Sequence, residues 1–279
     1  MAGSTRAREL LDDGERRLAA AGVETPRVDA ELLLAAAAGA TRSEIVAGLV
    51  DPEPAVEQYT AWIDRRAARE PLAYITGRQG FRRIELAVDR RVLIPRPETE
   101  LLVSLAKVDR PCGILDVATG SGAVALALAD ELPDATIVAS DISPGALELA
   151  RANAAALNAT DVVEFVQSDL LDAIDGVFDI ITANLPYVTA AEYAGLQPEI
   201  TEFEPRLALV GGDDGLDLVR RLAAAAPAHL KPGGLIALEI GEDQAIETEE
   251  ILRAAGFVDT ARHADLNEIE RVVVGRTQK

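Results

Sequence analysis

After Pro111, short apolar and β-prone runs alternate with helical patterns to the end of the chain. That alternation restricts the fold to a parallel sheet covered on both faces. The runs expected to form strands are Gly113–Val117, Thr136–Ser140, Val163–Gln167, Phe178–Ala183, Leu235–Ile240 and Arg271–Val274, with Phe257–His263 as a further candidate. Between them, Ala123–Leu132, Pro144–Leu157, Gly215–Leu230 and Asp243–Ala255 carry helical spacing. A strand buried on both faces reads as a continuous apolar run, and open α/β sheets hold their ligands beyond the carboxyl ends of such strands. The residues that follow each run are therefore where chemistry is expected.

The first run leads into Asp116-Val117-Ala118-Thr119-Gly120-Ser121-Gly122 and then a helix. Glycines let the backbone approach a ligand closely, and the helix start offers free N–H groups. Dinucleotide, flavin and phosphate sites all use Gly-rich loops. Three details separate this one from them. Its spacing is D-x-A-x-G-x-G rather than G-x-G-x-x-G, it lacks the Gly-Lys-Ser/Thr of a phosphate loop, and a carboxylate precedes it. That carboxylate would repel a pyrophosphate but suits a sulfonium or ammonium group, and S-adenosylmethionine carries both. The second run ends at Asp141, where a carboxylate meets ribose hydroxyls in dinucleotide folds. The third ends at Ser168-Asp169-Leu170, an acid and an apolar neighbour fit for an adenine amino group and ring face. A single Asp in such a place is equally a helix cap or turn residue. Three successive strands ending in Asp116, Asp141 and Asp169 are harder to explain that way.

The fourth run, Ile180-Ile181-Thr182-Ala183-Asn184-Leu185-Pro186-Tyr187, stops abruptly at an amide, a proline and an aromatic ring. Asn and Pro form turns after many strands. After the fourth strand of a chain with such a loop, the favoured reading is a grip on a planar nitrogen that carries two hydrogens. Asn184 Oδ1 and the Leu185 carbonyl, held by Pro186, would accept those hydrogens, and Tyr187 would pack on the flat group. Methyl transfer would then rest on orientation and a reactive cofactor, with no metal and no covalent intermediate.

Residues 4 to about 72 read as helices only, punctuated by Gly22, Gly39 and Asp51-Pro52-Glu53-Pro54, with a capping-box spacing at Thr41-Arg42-Ser43-Glu44. From Ala73 the pattern loosens. Phe81, Ile84, Leu86 and Val88, a turn at Asp89-Arg90 and then Arg91-Val92-Leu93-Ile94 read as a β-hairpin connector, followed by the stiff Pro95-Arg96-Pro97 and a helix from Leu101 to Lys107. A length of 279 residues suits two domains, and the formal charge is −20 with lysine only at Lys107, Lys231 and Lys279. So acidic a surface repels phosphate backbones, which disfavours tight binding of bulk nucleic acid; acidity is equally a solvation habit. Cys112 alone excludes an internal disulfide or a cysteine cluster, and His229 and His263 are too far apart to predict a zinc site, so no metal is expected. No secretory leader or membrane span is visible, and a cytoplasmic location is expected.

With these residues the chain resembles the class I S-adenosylmethionine-dependent methyltransferases, and among them the release factor glutamine N5-methyltransferases. The most specific parts are Glu70-Pro71-Leu72-Ala73-Tyr74-Ile75-Thr76-Gly77, Phe81 and Val92-Leu93-Ile94-Pro95-Arg96-Pro97-Glu98-Thr99-Glu100. Glu204-Pro205-Arg206-Leu207-Ala208-Leu209 and Gly211-Gly212-Asp213-Asp214-Gly215-Leu216 match later. The resemblance implies an α/β, Rossmann-like catalytic domain over 98–279 with a mostly parallel seven-stranded sheet, a β-hairpin linker over 78–97, and a helical substrate-docking domain over 1–77. It implies that Asp116, Ala118, Thr119, Gly120, Ser121, Gly122, Asp141, Asp169, Leu170 and Asn184 line the S-adenosylmethionine site. Asn184, Leu185, Pro186 and Tyr187 would hold the glutamine of a Gly-Gly-Gln loop, which makes peptide chain release factors the expected partners. The family writes Pro where Leu185 stands and Gly where Ala118 stands. Asn-Leu-Pro-Tyr is also the motif of rRNA adenine N6-dimethyltransferases. Alternatives therefore stay open: methylation of an exocyclic adenine nitrogen of RNA or DNA, of a small molecule or of another protein, or a non-catalytic module that keeps S-adenosylmethionine, or nothing, as a structural ligand. Arg96, Glu98 and Glu100 are expected either at the domain junction or near the cofactor's amino-acid end.

Overall fold

The structure is a computed structural model that describes residues 2–107 and 112–279; Pro111, from which the alternation is counted, lies outside the described residues. The chain forms two compact units, one up to Gly77 together with Gln197–Phe203, the other Arg78–Leu196 with Glu204–Lys279.

The first unit holds α1 (Ala2–Ala20), α2 (Pro26–Ala38), α3 (Arg42–Val46), α4 (Val56–Ala67) and α5 (Leu72–Thr76). Pro26 opens α2, where its missing N–H is no loss, and Gly39 closes it at φ 63°. The expected capping box forms at α3: Thr41 accepts the Glu44 N–H while Glu44 accepts the Thr41 N–H. Leu11, Leu18, Leu33, Leu34, Ile45 and Ile63 meet in the core of this unit.

The second unit opens with a hairpin, β1 (Arg78–Phe81) and β2 (Ile84–Ala87), paired antiparallel with Phe81 opposite Ile84. The turn is therefore Arg82-Arg83, not Asp89-Arg90, and the expected strand at Arg91–Ile94 does not form. Arg82 takes the left-handed conformation at φ 49° that a two-residue hairpin turn favours. The Asp89 carboxylate instead accepts the Arg91 N–H at 3.0 Å, and the Ile94 N–H donates to Glu204 Oε2 at 3.0 Å rather than to a strand. Phe81, Ile84 and Leu86 are buried in the second unit's core, so the hairpin belongs to that unit.

Next come α6 (Glu100–Leu105), β3 (Gly113–Val117), α7 (Ala123–Glu131), β4 (Thr136–Asp141), α8 (Pro144–Ala156), β5 (Val163–Gln167), β6 (Phe178–Asn184) and α9 (Ala190–Tyr193). The chain then gives α10 (Pro198–Thr201) to the first unit. There Glu199 accepts from Arg66 Nη1 at 2.9 Å and from Arg69 Nη2 at 2.6 Å, while Arg66 Nε donates to Asp29 at 2.7 Å. The Arg66, Asp29 and Glu199 side chains are at most 13% exposed. The second unit resumes with α11 (Asp217–Ala225), β7 (Leu230–Glu239), α12 (Ala245–Ala254), β8 (Val258–Ala264) and β9 (Glu270–Arg276). The helix expected over 215–230 ends early, because Pro227 cannot donate within it and a 3-10 turn, Ala226–His229, leads into β7.

All seven expected strands pair in one sheet of order β5-β4-β3-β6-β7-β9-β8, parallel except at β9. Alternate residues serve two cores. Ile114, Ile180, Leu235, Ala237 and Val272 join α6 and α7 on one face; Leu115, Ile181, Ile236, Leu238 and Val273 join α11 and α12 on the other. The chain passes from β3 outward to β5 and then returns to β6 on the other side of β3. The carboxyl ends of β3 and β6 thus flank the topological switch point where such sheets open a crevice. Among the described residues no helix is long and apolar enough to cross a membrane.

Candidate active site

The crevice is a cavity of about 240 Å³ within the second unit. Its floor is the β3–α7 loop, where Ala118, Gly120 and Gly122 all take positive φ of 57°, 58° and 84°. Glycine adopts that region freely, whereas alanine there carries a steric cost of roughly 1–2 kcal/mol. The loop holds the strained turn by pairing with the next strand: the Thr119 N–H donates to the Ser140 carbonyl and the Gly120 N–H to Asp141 Oδ2, each at 2.9 Å. A Cβ added to Gly120 would meet nothing within 4 Å, so the backbone faces open space there.

Asp116 is 2% exposed, and its oxygens accept from Thr119 Oγ1 at 2.6 Å and Thr182 Oγ1 at 2.8 Å. Burial lifts its carboxyl to about 6 against the pull of those hydroxyls. Asp116 thus braces the loop from beneath while bordering the cavity. Asp141 accepts the N–H groups of Gly120 and Ser143; burial raises its pKa and the backbone donors work against the rise. Asp169 is paired with Arg221 of α11 at 2.9 Å, and Leu170 turns the chain at φ 51°. Ile142, beside Asp141 and 46% exposed, adds an apolar surface. This set fits S-adenosylmethionine: open backbone at Gly120, a ribose-competent carboxylate at Asp141, apolar faces at Ile142 and Leu170, and acidic surroundings for its cations.

Asn184 ends β6 with its Nδ2 donating to Thr99 Oγ1 at 3.2 Å. Directly opposite on β7 stands Glu239, 2% exposed, with Thr99 and Asn184 as its polar neighbours. Its Oε2 finds no partner among the described residues. Burial carries the Glu239 carboxyl to about 7, and the charge of Glu98 pushes the same way, while Thr99, Arg271 and Asn184 pull it back. Leu185 is 2% exposed and sits in the core cluster with Leu216 and Ile240. Burial moves the Tyr187 hydroxyl up to about 12, so the ring stays neutral.

The late glycine signature acquires a physical reason. A Cβ on Gly211 would lie 2.1 Å from the Pro186 carbonyl oxygen, and one on Gly215 would lie 2.0 Å from that of Tyr187. The Gly211–Gly215 loop is therefore the bed on which the Asn-Leu-Pro-Tyr backbone lies. Gln244 Nε2 fixes it further, donating to the Tyr187 carbonyl at 2.9 Å.

Of the residues expected from sequence, Asp116, Ala118, Thr119, Gly120, Ser121, Asp141, Asp169, Leu170, Asn184, Leu185 and Pro186 line this one cavity. Gly122 lies behind the wall, where an added Cβ would come within 3.0 Å of Leu126 Cδ1. Tyr187 also stands off the wall, its ring close to Gly241. Arg96 borders the cavity and pairs with Glu204, whereas Glu100 accepts the Arg82 N–H of the hairpin. Sequence reasoning missed Thr99, Glu239 and Gln244; the one available signal was a carboxylate, Glu239, inside the otherwise apolar Leu235–Ile240 run.

Residues 9–77 match the PrmC N-terminal domain, and residues 97–200 match the methyltransferase small domain. A crystal structure of a methyltransferase from Pyrococcus furiosus shares the fold, with a TM-score of 0.54 at 18% identity over 70% of this chain and 89% of that one. A release factor glutamine methyltransferase from Moorella thermoacetica is 45% identical, covering 89% of this chain and 90% of the relative. One from Deinococcus radiodurans is 43% identical over 96% of this chain and 98% of its own length. With such relatives matched along nearly their whole length, the chain belongs to the release factor glutamine methyltransferase family.

Proposed function

We infer that this protein transfers a methyl group from S-adenosylmethionine to the side-chain amide nitrogen, N5, of the glutamine in the Gly-Gly-Gln motif of peptide chain release factors. The observation that carries the reading is Asn184. It ends the central strand at the cavity, and its Nδ2 is already spent on Thr99, which leaves Oδ1 to accept from a substrate N–H. A second acceptor, the Leu185 carbonyl, would take the other hydrogen. An amide nitrogen is a weak nucleophile because its lone pair is delocalised, and two acceptors on its hydrogens concentrate electron density on it. Tyr187, neutral and half-buried, would lie against the flat amide and set its angle.

When bound, S-adenosylmethionine supplies an electrophilic methyl on a sulfonium. Asp141, Asp169, Leu170 and the Ala118–Gly122 backbone would hold it, with Asp116 bracing that backbone. The work of this chain is orientation and exclusion of water, with the proton leaving to solvent afterwards. The first unit, matched over residues 9–77, would dock the release factor. A formal charge of −20 supports a protein rather than a nucleic-acid substrate, and a release factor substrate implies a place in the cytoplasm.

The test is incubation with a purified release factor and S-adenosylmethionine, followed by peptide mass spectrometry of the Gly-Gly-Gln segment. One added methyl on that glutamine is expected. Asn184→Ala should abolish it while leaving the affinity for S-adenosylhomocysteine nearly unchanged. Methyl on another residue, or a fully active variant, would overturn the assignment.

A further inference from the structure

An asparagine serves as an acceptor only if its amide is turned the right way, and its oxygen and nitrogen ends have nearly the same shape. Something must choose between the two orientations of Asn184. Thr99, in the 3-10 turn Pro97–Thr99, presents Oγ1 to Nδ2 at 3.2 Å, and the neighbouring Glu239 carboxyl is the acceptor toward which its own hydroxyl proton is drawn. Glu239 is strand-paired with Asn184, so its carboxyl is a near polar neighbour of that amide. With Glu98, Arg271 and Tyr187 as its other charged or titratable neighbours, this carboxyl is buried with one oxygen unpaired among the described residues. Such an arrangement is costly, and stability does not account for it. Above about pH 7, where it is ionised, this carboxylate only accepts, so only the NH2 end of Asn184 can face it.

We propose that Glu239 and Thr99 are positioning residues for methyl transfer: together they hold the Asn184 NH2 inward and thereby present Oδ1 to the substrate amide. The proposal rests on the reading that Asn184 accepts from the substrate nitrogen. Glu239 stands behind the cavity wall and Thr99 at its edge. The chain of donors makes a distinctive demand. Without Glu239, the Thr99 O–H is free to donate to Asn184 Oδ1, which rewards the wrong orientation. Removing that hydroxyl as well abolishes the reward.

The test compares Glu239→Leu, Thr99→Val, Thr99→Ser and the double variant Thr99→Val with Glu239→Leu, using the full chain, a purified release factor and S-adenosylmethionine. Glu239→Leu should lower kcat roughly tenfold, the equivalent of one charge-assisted hydrogen bond in differential orientation, with the affinity for S-adenosylhomocysteine preserved. Thr99→Ser should restore what Thr99→Val loses. The double variant should be faster than Glu239→Leu alone; a merely structural pair would make it slower, and that result would overturn the proposal. An independent readout needs no turnover. The Asn184 side-chain NH2 resonances, assigned by their loss in Asn184→Asp, should be protected from solvent exchange in the unmodified protein and exposed in Glu239→Leu. Failure of the unmodified protein to methylate any release factor would remove the proposed function, whereas an unprotected NH2 in it would remove this inference alone.

Discussion

Glu239 makes the folded state sensitive to pH in a direction opposite to that of most surface acids. Its carboxyl ionises near its ordinary value of 4.5 when the chain is unfolded and near 7 in the fold, because burial penalises the charge. Across that window the unfolded chain releases a proton that the folded chain keeps. Stability therefore falls as pH rises from the lower value to the upper, and levels off above it. Each pKa unit is worth about 1.4 kcal/mol, so the interval between about pH 5 and about pH 8 covers roughly 2–3 kcal/mol. Glu239→Gln removes the titration and keeps an acceptor oxygen. Urea unfolding of both proteins, followed by circular dichroism at the two pH values, isolates the effect. Asp116, raised to about 6, and Glu131, held down to about 2 chiefly by its hydrogen bond from Arg82, are common to both proteins and cancel. The variant should gain on the parent by that amount as the pH is raised. A gap that stays constant would show that Glu239 titrates normally, and the account of its burial would be wrong.

Other substitutions test other parts of the site and scaffold. Gly215→Ala puts a Cβ 2.0 Å from the Tyr187 carbonyl oxygen at φ +76° and should cost about 3 kcal/mol or more; Gly256→Ala, at φ +91° with nothing within 4 Å, should cost only about 1 kcal/mol in the same thermal melts. Ala118→Gly relieves a left-handed alanine at φ 57° and loses some of that gain to unfolded-chain entropy, so melting should show a net gain of up to about 1 kcal/mol. Ala118→Val should melt below the parent. Glu199→Ala leaves the Arg66 guanidinium short of one buried partner and should cost about 3–5 kcal/mol. The protein's one tryptophan, Trp62, lies on α4 in that unit, so its fluorescence follows that transition.

The sheet was legible because its strands are buried on both faces and read as unbroken apolar runs, Ile180–Ala183 above all. The cofactor loop was legible because Asp116 to Gly122 is local: strand end, tight turn and helix start are contiguous. What escaped was set by partners distant in sequence. The expected strand over Arg91–Ile94 fails because Glu204 captures the Ile94 N–H, which no local pattern announces. The four-residue helices Ala190–Tyr193 and Pro198–Thr201 are too short for a period to register. Glu239 and Thr99 gain their meaning only from strand pairing beside Asn184, and Gly211 and Gly215 only from the backbone laid across them. Leu185 stood out as a departure in the motif, yet its side chain belongs to the core.

The buried cluster of Arg66, Asp29 and Glu199 also sets a timetable. Asp29 and Arg66 leave the ribosome with the first helices, but Glu199 follows Arg66 by 133 residues. At about 5–20 residues per second that is a wait of roughly 7–27 seconds. During it the nascent helical unit holds two arginines, Arg66 and Arg69, without the carboxylate that both engage in the finished protein. The helical unit cannot reach its final form until four of the sheet's seven strands have been synthesised.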